Sequence, residues 1–202
     1  PLITAPGTTY AYSNFGYSIL GRVIEKISGK TYEEYVKSAV LQPAGVTRMR
    51  IGGNTEAARM PDEVKYYGQS GQNPYIYNIT RMDAHGGWIA SAKDLMKIVT
   101  AADGFTTRPD LLQATSIQTM TTGSSANPNY GMGWMVNSLN NWWHTGSLPG
   151  TATMIARTSG GYSWAILTNT RSMEANFETD MDQLIWKAIN NSNTQWPTND
   201  LF

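Results

Sequence analysis

From position 111 to position 156 the chain carries no Asp, Glu, Lys or Arg, and Thr, Ser, Asn, Gly and Trp fill the space. A long uncharged stretch of this kind suits strands and turns lining a polar pocket. Strands are expected over 131–136, 142–144, 151–157 and 163–168, with Ser159-Gly160-Gly161 turning between the last two. A closing helix then carries Met181, Leu184, Ile185, Ala188 and Ile189 at helical spacing.

The first part of the chain has the opposite character. Phe15, Ile19, Leu20, Val23, Ile24 and Ile27 fall at helical spacing from about Asn14, and Gly29 supplies the stop. Thr31 and Glu34 form a capping box for a second helix that carries Tyr32, Tyr35, Val36 and Val40 and ends at Pro43 and Gly45. A short strand follows around Met49 and Ile51. From 52 to 87 there is no sustained period, and Tyr66, Tyr67, Tyr75 and Tyr77 mark this excursion as a candidate cleft wall. Ser91 and Asp94 cap a third helix through Leu95, Ile98, Val99 and Ala102, closed by Gly104, and 109–120 reads as a fourth. Helices first, then an antiparallel sheet of about three to four strands with a C-terminal helix packed on it, reads as α+β. The division falls near 130: residues 1–130 are mostly helix and loop, and 131–202 are strands plus the last helix.

Charge and composition narrow the function. The 15 Lys and Arg balance 15 Asp and Glu, so the excess of cations that binds nucleic-acid phosphates is missing. No run of about 18 apolar residues exists to form a spanning helix. Cysteine is absent, which removes disulfides and thiolate sites, and with two histidines, His85 and His144, a multi-histidine metal site is not expected. No cofactor is implied. The chain opens on Pro1, and the opening has the look of mid-loop sequence, so a longer gene product is expected.

Several motifs carry little. Gly29-Lys30-Thr31 looks like the tail of a phosphate loop, yet Ile24 stands where that loop needs its first glycine. Asp62-Glu63 and Glu33-Glu34 read as surface charge and a helix cap. His85 reads as a loop or packing residue, and Trp134, Trp142 and Trp143 as core and cleft wall.

Two short segments carry more in combination. Tyr12-Ser13-Asn14 stands just before the first amphipathic helix, and His144-Thr145-Gly146-Ser147-Leu148-Pro149-Gly150 stands between two expected strands. With these the chain resembles the serine β-lactamase and penicillin-binding-protein superfamily, in its class C branch with related esterases and D-amino-acid peptidases. That family bears S-x-x-K, then Y-x-N, then K-T-G or H-T-G. Pro43-Ala44-Gly45-Val46, the run from Gly86 to Leu95, and Tyr130-Gly131-Met132-Gly133-Trp134 are similar to further family segments in the same order. The resemblance implies a partial β-lactamase-like fold in which 1–202 is the C-terminal portion of a hydrolase domain. It also suggests a periplasmic or secreted location.

The nucleophile motif is the departure: no serine here has Lys three positions later, and Ser91 has Asp94 there. In the family that motif lies ahead of Y-x-N, and eleven residues precede Tyr12. An upstream segment or a second chain is therefore expected to complete the fold. The resemblance implies Tyr12 as general base or proton shuttle and Asn14 as the residue that orients the substrate amide or the absent lysine. His144 would replace the lysine of the third motif. Thr145 would bind a substrate carboxylate, Gly146 would leave room for it, and the Ser147 backbone N–H would be an oxyanion donor. The expected function is acyl transfer on a small-molecule or peptide substrate, namely a β-lactam, an ester or a D-amino-acid peptide. A chain that kept the cleft without the nucleophile, and only binds, is the alternative.

Overall fold

The structure is a computed structural model that describes residues 2–200, so the outer bounds 1 and 202 of the expected domain lie outside the described residues. Helix α1 spans Asn14–Ser28, and Ser13 caps it by accepting from the Gly16 N–H at 2.9 Å. Gly29 ends it at φ 69, a left-handed conformation that glycine adopts without a Cβ penalty. Thr31 and Glu34 form the capping box of α2, Tyr32–Val36, which runs on as a π-helical turn over Lys37–Leu41. Gly29-Lys30-Thr31 is thus the joint between two helices.

Strand β1, Arg50–Ile51, pairs antiparallel with β2, Trp88–Ile89, making a small second sheet. The excursion between them is irregular apart from 3-10 turns at Glu56–Ala58 and Ile79–Met82. Helix α3 follows at Ala92–Thr100 with the Ser91–Asp94 capping box, and α4 at Ala114–Thr121. Leu41, Val46 and Met49 form one core, closed over by Trp88, Leu95 and Ile98. Ile117, Val136 and Trp142 form a second, with Met120 and Trp134.

The main sheet has the order β3-β4-β5-β6, with β3 at Met135–Val136, β4 at Trp142–Leu148, β5 at Thr151–Arg157 and β6 at Ser163–Thr168. Helix α5, Phe177–Ile189, packs back on β5. Two expected strands changed length. The strand read over 131–136 shrinks to two residues, because Gly131 N–H donates to the Trp134 carbonyl and Gly133 sits at φ 80, which turns the chain. The strand read over 142–144 runs on to Leu148, because β4 and β5 stay in register from Trp142↔Arg157 to Leu148↔Thr151. The hairpin closes through Pro149-Gly150, with Gly150 at φ 81, and a Cβ there would stand 3.0 Å from Pro74.

The apolar stripe of α1 forms as read but lacks cover. Phe15 is 74 % and Ile27 82 % exposed, and Ile19, Leu20 and Val23 are exposed between them. The helix is instead anchored by the opposite side, where Gly21 comes so close to Ala84 that a Cβ would stand 2.6 Å from the alanine methyl.

Candidate active site

Tyr12 lies in extended chain just before α1, and its hydroxyl donates to Asn14 Oδ1 at 3.1 Å. The N-cap at Ser13 fixes the entry to the helix, so the two side chains meet across the cap. Beside them is a cavity of about 400 Å³, lined by Tyr10, Tyr12, Ser13, Gly16, Tyr17 and Tyr130 among others. Tyrosines supply much of its lining, and none of the lining residues carries a formal charge at neutral pH.

From the far side of the sequence, β4 brings His144 to the same place. The His144 and Tyr12 rings lie 6.2 Å apart between centroids at an interplanar angle of 33°. Tyr130 completes the group: its hydroxyl is 3.1 Å from His144 Nε2, and its ring meets Tyr12 edge-on at 6.2 Å and Tyr10 at 5.3 Å. His144 Nδ1 donates to the Thr145 carbonyl at 2.7 Å. Burial first, then the neighbouring phenols of Tyr17, Tyr12 and Tyr10, pushes the Tyr130 hydroxyl well above the ordinary tyrosine value.

The H-T-G residues stand inside β4 rather than between strands, and the pleat divides them. His144 and Gly146 oppose Ile155 and Thr153, on the face where Arg157 stacks over Phe105 and Trp142. Thr145 and Ser147 oppose Met154 and Ala152, on the face where Trp164 meets Trp186 of α5 at 5.4 Å. Tyr12, Asn14 and His144 are therefore brought together, whereas Thr145 and Ser147 belong to the other pleat. Among the described residues β3 pairs only with Trp142 and Trp143, so from His144 onward the outer edge of β4 has no strand partner. Gly146 fits its place closely, since a Cβ would stand 2.5 Å from Thr153 Oγ1.

Sequence reasoning passed over two neighbours. Tyr130 was visible only as the first residue of Tyr130-Gly131-Met132-Gly133-Trp134. Arg171, after β6, donates from Nη1 to Ser147 Oγ at 2.7 Å and had no motif to mark it. The other candidates have structural partners: His85 Nδ1 is 2.8 Å from Ser18 Oγ, Asp62 pairs with Arg48 and Arg50, and Trp142 lies in the core. Among the described residues no group of three or more His, Asp or Glu could hold a metal ion, and no helix is long and apolar enough to cross a membrane.

Residues 1–185 match the family model described as Beta-lactamase. The chain is 24 % identical over 177 residues to penicillin-binding protein 4* of Bacillus subtilis (strain 168), which covers 75 % of this chain and 38 % of that protein. It is 28 % identical over 131 residues to a D-aminopeptidase of Gluconobacter oxydans (strain 621H), covering 63 % of this chain and 24 % of that protein. The structure is similar to that of a class C β-lactamase, with a TM-score of 0.74 at 16 % identity over 94 % of this chain and 60 % of the other. The chain spans well under half the length of the curated relatives it matches.

Proposed function

This chain belongs to the beta-lactamase family, and from that premise we propose that the protein carrying it is a serine hydrolase acting by acyl transfer on a β-lactam, an ester or a D-amino-acid peptide. The observation that carries the reading is the meeting of Tyr12 and His144, which are far apart in the sequence. The nucleophile comes from outside these residues, since no S-x-x-K occurs among them.

In this reading Tyr12 passes a proton between the nucleophile and the leaving group, and Asn14 holds its hydroxyl in place. A phenol needs a nearby cation to serve at neutral pH, a role that falls to the lysine of the absent motif. The unpaired edge of β4 leaves backbone N–H groups free for a developing oxyanion, with Ser147 as the donor. The segment that brings the nucleophile also covers Phe15, Ile19 and Val23 of α1.

The test is to assay the full-length protein on a chromogenic cephalosporin, an aryl ester and a D-Ala-D-Ala peptide, and to label it with a fluorescent penicillin. Turnover of at least one, with covalent label on a serine outside residues 1–202, supports the reading. Residues 1–202 alone should turn over none of them. A folded full-length protein that neither turns over nor takes label would instead be a binding protein that kept the cleft.

A further inference from the structure

Both ring nitrogens of His144 are committed. Nδ1 faces the Thr145 carbonyl oxygen at 2.7 Å, and a carbonyl oxygen only accepts, so Nδ1 carries a proton and donates. In the neutral ring Nε2 is then the bare nitrogen, and the group facing it at 3.1 Å is the Tyr130 hydroxyl. The hydroxyl can donate there because it keeps its proton: burial and the surrounding phenols disfavour its ionised form. Tyr130 is itself held in place by the Tyr10 ring at 5.3 Å and the Tyr12 ring at 6.2 Å.

We propose that Tyr130 is a positioning residue whose O–H donates to His144 Nε2 and, together with the Nδ1–H bond to the Thr145 carbonyl that sets the tautomer of the neutral ring, clamps the imidazole in one orientation. His144 then acts as a rigid, uncharged wall beside Tyr12, and Tyr12 is the proton-transfer group that this chain brings to the site. For the neutral ring the tautomer follows from the hydrogen bonds, whereas its catalytic consequence rests on the hydrolase reading above. The difference from a lysine at this place is chemical: the imidazole presents no charge to a substrate, and its bare nitrogen is already occupied.

The experiment is a long-range proton–nitrogen correlation spectrum of the full-length protein labelled with ¹⁵N-histidine. His144 is assigned by the loss of its signals in His144→Asn. The wild type should show one His144 tautomer, with Nδ1 protonated and Nε2 bare. Tyr130→Phe keeps the ring and removes the donor, so Nδ1 should stay protonated by its bond to Thr145 while the Nε2 resonance moves downfield toward that of a bare nitrogen without a hydrogen bond. The same substitution should lower kcat by roughly tenfold or more while KM stays within about twofold, as expected for a group that orients rather than binds. The His85 signals, from a ring paired with Ser18, should not move, which separates loss of the hydrogen bond from general unfolding.

A wild-type His144 carrying its proton on Nε2, or a His144 spectrum unchanged in Tyr130→Phe, would overturn the proposal. Should Tyr130→Phe fail to fold, the wild-type Nε2 resonance decides: a hydrogen-bonded bare nitrogen supports the proposal, and a bare nitrogen at its free position overturns it. Absence of turnover on every substrate would sink the hydrolase reading and leave the tautomer result standing, so the two failures are distinguishable.

Discussion

Arg171 holds Ser147 by a hydrogen bond from Nη1 to Oγ at 2.7 Å, and its Nη2 donates to Gln72 Oε1 at 3.3 Å. Among the described residues no carboxylate stands within ion-pair distance of it, and its Nε is buried without a partner. A guanidinium held only by neutral side chains keeps its charge and its attraction for a planar anion. Through Ser147, Arg171 brings a cation to the C-terminal half of β4.

Arg171→Ala should therefore raise KM for carboxylate-bearing substrates by roughly 10- to 100-fold, the equivalent of about 1.5–3 kcal/mol for a hydrogen bond to a charged group. A neutral aryl ester should be affected by about threefold or less. Steady-state kinetics on the two substrate types decides the matter, and equal losses on both would remove Arg171 from specificity.

Tyr12→Phe should lower kcat by about 10²- to 10⁴-fold with little change in KM, the usual contribution of a general acid or base. The fold should not suffer, because Tyr12 is 54 % exposed and its hydroxyl bonds only to Asn14 within its own segment. Unchanged kcat alongside unchanged melting would assign the proton transfer to another group.

Thr31→Ala removes the N-cap of α2 and should cost about 1 kcal/mol in urea unfolding at neutral pH. The Glu34 carboxyl is held below its ordinary value, chiefly by the Thr31 hydroxyl at 2.7 Å and also by the Thr31 backbone N–H at 3.0 Å. A lowered folded value means that this contribution is fully present above the unfolded value of about 4.3 and is lost as pH falls through the folded one. The gap between wild type and Thr31→Ala should accordingly narrow below about pH 4. A gap independent of pH would show that the carboxylate adds nothing to the cap.

Gly146→Ala should destabilise the sheet by about 1–3 kcal/mol, since the new methyl meets Thr153 Oγ1 at 2.5 Å and Thr153 is held in β5. Gly146→Ala with Thr153→Ala should recover most of that loss. Chemical denaturation of the three variants measures the coupling, and additive losses would place the strain elsewhere.

The local devices were legible because short-range chemistry makes them. Gly29 ends α1, Thr31 with Glu34 and Ser91 with Asp94 cap helices, and Gly161 turns β5 into β6 at φ 86. Each depends on residues within a few positions, whose hydrogen bonds and φ preferences hardly change with context. The superfamily fold and the antiparallel sheet with its closing helix were legible for the same reason, carried by motifs in a fixed order.

The register of β4 on β5, and everything that hangs on it, was decided by tertiary structure. Strand alternation places Thr145 and Ser147 opposite His144 and Gly146, but whether Tyr12 or α5 covers a given face depends on elements far away in the chain. The exposed stripe on α1 shows the same division: helical spacing determined which residues share a face, and only packing decided whether that face found a partner. Tyr130 came to His144, and Arg171 to Ser147, through a turn at Gly133 and through the loop after β6, where no periodic pattern records which distant group a side chain will meet. Periodicity and capping are properties of neighbours in sequence, while a hydrogen bond between strangers exists only once burial and register have brought them together.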